Sequence, residues 1–165
     1  LLYMIRGFTC GTMDLLHAGH VLMLKECRGQ CDYLIVGLEI DPSVDRPDKQ
    51  EPIETVKERM IRLQGCKYVD EIIIYKDEMD LYNLLKKVNP DVRFMGIDWK
   101  NKPNYSRDKL PNVKVIYNSR DHGYSSVNLR KRIIDTLPGN AIASITKNDT
   151  TNITTSPKGR KMVRI

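Results

Sequence analysis

Long apolar runs are absent from the 165 residues, and the longest, Tyr33–Leu38 and Ile72–Tyr75, are strand-sized. A membrane-spanning helix needs about 20 apolar residues, so the sequence predicts no membrane span. No charged segment followed by an apolar stretch opens the chain, which reads as cytoplasmic. Aromatic residues are scarce at 7%, with a single Trp, and no basic stripe interleaves with them. Nucleic acid is therefore not the expected partner. None of the four cysteines forms a C-x-x-C pair, which speaks against zinc and thioredoxin-like redox chemistry. Cys10, Cys27, Cys31 and Cys66 read as small thiols in a reducing compartment. A G-x-S-x-G elbow and a Ser-His-Asp order are also missing, so nothing points to a covalent nucleophile.

What is present is a modest basic excess and a regular alternation. Lys plus Arg is 27 against 21 for Asp plus Glu, a net charge of +6, which suits a phosphate-rich partner. Part of that excess sits near the end, at Lys147, Lys158, Arg160, Lys161 and Arg164. Strands are predicted at Tyr3–Phe8, Tyr33–Glu39, Glu71–Tyr75, Val92–Gly96 and Val113–Tyr117. Helices are predicted at His17–Arg28, Thr55–Gln64, Asp80–Val88 and Ser125–Leu137. Two polar loops, Asp41–Glu51 and Lys100–Pro111, interrupt them. The expected architecture is α/β: a Rossmann-like, doubly wound, five-stranded parallel sheet in a single domain over 1–139. Residues 140–165, rich in Thr, Asn, Ser and Lys, read as a loosely ordered polar tail. In such sheets ligands bind beyond the carboxyl ends of the strands.

The strongest local signal is Gly11-Thr12-Met13-Asp14-Leu15-Leu16-His17-Ala18-Gly19-His20, between the first strand and the first helix. Unpaired N–H groups and the dipole make a helix start an anion site. His17 and His20, three apart, can face one ligand there. Imidazoles can donate to oxygens whose charge grows during phosphoryl transfer. Gly19 removes a side chain where phosphate must approach backbone. Simple helix capping by one histidine is the competing reading.

This segment resembles the H-x-G-H nucleotidyltransferases, and within them the cytidylyltransferases, notably glycerol-3-phosphate cytidylyltransferases. Lys67–Ile72 is similar to the family's R-Y-V-D-E-V, and Arg59 to the Arg of the helix before it. Phe94–Trp99 is similar to V-M-G-D-D-W, and Arg120–Ser126 to R-T-E-G-I-S-T-T. The resemblance covers roughly 3–135 and implies a homodimeric enzyme that binds CTP with Mg²⁺. It would transfer CMP to a small phosphorylated alcohol or polyol and release pyrophosphate.

The resemblance also implies roles. His17, His20 and Arg120 would hold the triphosphate and its developing charge. Gly11, Thr12, Met13 and Gly19 would line the nucleotide. Asp98 and Trp99 would meet ribose and cytosine, and Gly123, Ser125 and Ser126 the β- and γ-phosphates. Asp14 would organise the turn, touch a metal-bound water, or serve as a cap. The family carries two lysines after the second strand; here Lys49 is the first candidate and Arg46 the second. A family lysine near the third helix falls near Leu81, and His122 stands where the family has Glu. The cytidine half of the site thus looks kept, while the acceptor half departs. An adenylyltransferase of the same superfamily and a non-catalytic nucleotide binder remain alternatives.

Overall fold

The computed structural model describes residues 3–139. The polar tail expected over 140–165 lies outside the described residues. The chain divides into two units, Leu1–Ser126 and Val127–Ile165.

The first unit alternates strand and helix. Its elements are β1 (Arg6–Gly11), α1 (Ala18–Arg28), β2 (Tyr33–Glu39), α2 (Val56–Gln64), β3 (Glu71–Tyr75), α3 (Glu78–Val88), β4 (Val92–Gly96), α4 (Tyr105–Lys109) and β5 (Lys114–Asn118). Single 3₁₀ turns follow β1 at Asp14–Leu16 and β4 at Ile97–Trp99. The five strands form one sheet in the order β3-β2-β1-β4-β5, and every pair is parallel. The order reverses between β1 and β4, which places the ligand crevice at their carboxyl ends.

Strand β2 shows why the sheet is buried on both sides. Leu34, Val36 and Leu38 join Leu24, Cys27, Leu63 and Phe94 on one face. Ile35 joins Phe8, Tyr75, Leu81 and Leu85 on the other. Side chains alternate along a strand, so a continuous apolar run feeds two cores at once.

The helix starts follow local chemistry. Thr55 and Glu58 form a reciprocal capping box at α2. Asp77 accepts the Asp80 N–H at 2.8 Å and starts α3 two residues earlier than its apolar period suggests. Asn89 takes a left-handed conformation, φ 46°, and closes α3 before Pro90. Two further differences from expectation stand out. Tyr3, Met4 and Ile5 are apolar but exposed, and the β1 ladder begins at Arg6 opposite Tyr33. The loop expected over Lys100–Pro111 contains α4, capped by Asn104, which accepts the Arg107 N–H at 2.9 Å.

The second unit contributes the helix α5 (Ser126–Thr136), whose first residue belongs to the first unit. Its last turn is closed by Leu137 N–H on the Ile134 carbonyl at 3.1 Å.

Candidate active site

The turn from β1 into α1 is strained and tightly held. Met13, Leu15 and Leu16 have positive φ values of 52°, 62° and 23°. Each such residue costs about 1–3 kcal/mol and persists only where its surroundings enforce it. Here they do. The Asp14 carboxylate accepts the N–H groups of Ile53 at 3.1 Å and Glu54 at 3.0 Å. Glu54 in turn accepts the Leu15 N–H at 2.7 Å and pairs with Arg62 at 2.6 Å. Arg59, 1% exposed, donates to the carbonyls of Thr12, Glu39, Ile40 and Glu54 at 2.6–3.0 Å. With both oxygens on backbone amides, Asp14 is a turn organiser. Among the described residues no group of three His, Cys, Asp or Glu could hold a metal.

His17 caps α1: its Nδ1 accepts the Gly19 N–H at 3.1 Å. Its Nε2 lies 3.1 Å from the Ser126 hydroxyl. The His20 ring stacks on it, with centroids 3.9 Å apart. Burial lowers the pKa of His20 to about 3, helped by the charges of His17 and Arg120. His17 is lowered too, first by burial and then by His122 and Arg120. Both rings are therefore neutral at pH 7 and act as hydrogen-bond donors rather than as fixed cations. At Gly19 a Cβ would stand 2.8 Å from the Tyr124 carbonyl oxygen, so any larger residue would push the 120–125 segment away.

Across the switch point, Arg120 pairs with Asp98 at 2.8 Å and lies beside Gly96. Trp99 is half-buried; its carbonyl accepts from Arg107 at 2.7 Å, and Lys102 Nζ lies 5.8 Å from its ring centre. Gly123 is exposed, with nothing near its missing side chain, and Ser125 is half-buried. Gly11 ends β1, and the Thr12 hydroxyl donates to Glu39 at 3.3 Å.

The β2–α2 loop separates the two cation candidates. Arg46 grips the buried Glu39 carboxylate at 2.5 and 2.6 Å. Lys49 is exposed, and its side chain makes no hydrogen bond or ion pair among the described residues. The fold thus brings His17, Gly19, His20, Asp98, Arg120 and Ser126 to one end of β1 and β4. Lys49 makes no side-chain bond to any of them. Sequence reasoning missed Glu39 and gave Arg59 no role. The signals were a carboxylate ending the apolar run YLIVGLE, and an Arg three residues after Val56 on the apolar face of α2. The cysteines are free, and burial pushes the Cys27 thiol up to about 12, far from reactive.

Residues 8–157 match the sequence model of a family described as Cytidylyltransferase-like. Among curated proteins, the Bifunctional protein HldE of Campylobacter concisus is 38% identical over 129 residues, 78% of this chain and 27% of that protein. The chain spans between 23% and 27% of the length of the first HldE proteins it matches. The glycerol-3-phosphate cytidylyltransferase of Staphylococcus aureus is 33% identical over 130 residues, covering 79% of this chain and 96% of that one. The crystal structure of a lipopolysaccharide core biosynthesis protein from Thermoplasma volcanium superposes with a TM-score of 0.59 at 29% identity. It covers 74% of this chain and 100% of that one.

Proposed function

The chain belongs to the cytidylyltransferase-like family, and from that premise we propose that it transfers CMP from CTP to a small phosphorylated alcohol or polyol. An acceptor phosphate oxygen attacks the α-phosphorus of CTP. The bond from that phosphorus to the bridging oxygen breaks, and pyrophosphate leaves with the electron pair. Such a reaction needs positioning and stabilisation of spreading negative charge more than covalent help.

The observation that carries the reading is the convergence of His17, His20, Arg120 and Ser126 on the carboxyl end of β1, beside the first turn of α1. Neutral imidazoles and backbone N–H groups offer donors aimed at phosphate, and Arg120 adds a planar fork that Asp98 holds in place. Mg²⁺ is part of the proposal. It would arrive on the triphosphate, held by phosphate oxygens and water, since the described side chains do not build a cage for it. A homodimer is likewise proposed, to be checked by light scattering.

The test is pyrophosphate release with CTP or ATP over a panel of acceptors: glycerol 3-phosphate, phosphoethanolamine and sugar phosphates. Acceptor-dependent release with CTP is expected. Release with ATP alone would replace this reading by adenylyl transfer. Release with neither, despite nucleotide binding, would leave a binding module.

A further inference from the structure

The three histidines of this chain, His17, His20 and His122, meet at one place. His17 and His20 come from the start of α1. His122 comes from the segment that follows β5 and lies over Gly19. A Cβ on Gly19 would stand 2.9 Å from His122 Cε1 and 3.0 Å from His17 Cε1. Glycine is what lets the third ring come in.

The hydrogen bonds assign the protons. His17 Nδ1 accepts the Gly19 N–H, so its neutral ring carries hydrogen on Nε2. The Nδ1 atoms of His20 and His122 are buried without a hydrogen-bond partner among the described residues. An orphaned N–H is the rarer kind of buried polar loss, so these protons also belong on Nε2. Only Nδ1 of each ring is both buried and unpartnered, which leaves Nε2 to meet a ligand.

Resting on the nucleotidyl-transfer reading, we propose that His122 is a third anion-binding imidazole, donating from Nε2 to the nucleotide's phosphates beside His17 and His20. Arg120, Asp121 and Tyr124 flank it on its own segment, and His17, on which His20 stacks and to which Ser126 bonds, lies across Gly19 from it. The glycerol-3-phosphate cytidylyltransferase motif has Glu at this position, a carboxylate that repels phosphate. The exchange replaces an acceptor-only anion by a donor at one point of the triphosphate site. The added donor raises affinity for the triphosphate and leaves the choice of base to other residues.

The experiment combines ¹⁵N NMR of the imidazoles with calorimetric titration of CTP and of pyrophosphate. Three rings give three sets of signals, and His122→Gln identifies its own by loss. Pyrophosphate should move the His122 signals of the wild type along with the other two. His122→Leu should weaken CTP and pyrophosphate roughly tenfold, as expected for losing one hydrogen bond to a charged group. His122→Gln, which keeps an N–H near the Nε2 position, should recover most of that loss, and KM for CTP should rise more than kcat falls. His122 signals that stay put while His17 and His20 shift would overturn the proposal, as would a Leu variant that binds as tightly as wild type. A wild type that binds neither CTP, ATP nor pyrophosphate would instead overturn the function reading itself.

Discussion

The loops leaving the neighbouring strands β1 and β2 differ in how firmly they are held. In the first, three non-glycine residues sit at positive φ, and Asp14, Glu54 and Arg59 pin the backbone around them. In the second, Arg46 is tied to Glu39, and the chain beyond it from Pro47 to Glu51 is exposed. One side of the site is buried and tightly bonded, and the other is exposed to solvent. That division suits a reaction in which a fixed triphosphate is met by a second anion.

The largest expected effect tests the rigid side at its root. Arg59→Ala removes a buried guanidinium and leaves four carbonyls without their donor. Hydrogen bonds to charged groups contribute about 1.5–3 kcal/mol each and do not add fully, so a loss of about 3 kcal/mol or more is expected. Urea unfolding measures it; a variant within about 1 kcal/mol of wild type would mean the turn holds itself.

Next comes the chemistry that the rigid turn presents. His17→Ala and His20→Ala should each lower kcat by roughly 10²-fold or more, the range for losing a transition-state donor. CTP affinity should fall less. Near-normal turnover in both would remove the histidines from the mechanism. On the opposite wall, Trp99→Ala should weaken CTP by about 1–3 kcal/mol if its indole stacks on the base. Saturating CTP should also change the fluorescence of this single Trp. An unchanged spectrum would reduce Trp99 to packing over α4.

The rigid side was legible in part. The apolar runs marked the strands, and H-x-G-H after a strand marked the turn into α1 where His17 caps the helix, because period and helix-start chemistry are local. The devices that enforce the turn were not local. Asp14 reaches Ile53 and Glu54, and Arg59 reaches Thr12, so their roles depend on how α2 packs. Helix α4 was illegible for another reason: five residues with Ser106 as the buried one carry no apolar period. Before β1, Tyr3-Met4-Ile5 shows the converse: these apolar residues are exposed, and the Ile5 N–H turns to the Asp32 carboxylate rather than to a strand ladder.

Burial on the rigid side also sets a pH dependence. The folded pKa of His20 is lowered from 6.5 to about 3. Below pH 6.5 the unfolded chain takes up a proton that the folded chain refuses. Stability therefore falls as pH drops from 6.5 toward 3, by at most about 1.4 kcal/mol per pH unit from this group. His20→Asn should flatten the stability curve between pH 6.5 and 5. Parallel curves for variant and wild type would show that His20 protonates freely in the fold.

The smallest effect belongs to the exposed side, where Lys49 and Arg46 compete for one role. An anionic acceptor approaching a triphosphate needs a cation between them, and the β2–α2 loop leaves the sheet at the carboxyl end, on the face of the crevice. The structure separates the candidates. Arg46 is engaged by the Glu39 carboxylate, itself buried and also bonded by Thr12, so freeing it would strand a buried charge. Lys49 is exposed, three residues further on, and follows the short turn its N–H makes to the Arg46 carbonyl at 2.8 Å. Arg46 thus anchors the loop, and the uncommitted charge left to test in the acceptor role is Lys49. Lys49→Ala should lower kcat and kcat/KM together by roughly tenfold while hardly changing CTP affinity, the mark of an interaction made mainly in the transition state. Arg46→Ala should instead loosen the loop and cost stability as well as rate. If Arg46→Ala shows the pure kcat pattern with stability unchanged, and Lys49→Ala is silent, then the roles are reversed and Glu39 releases its partner during turnover.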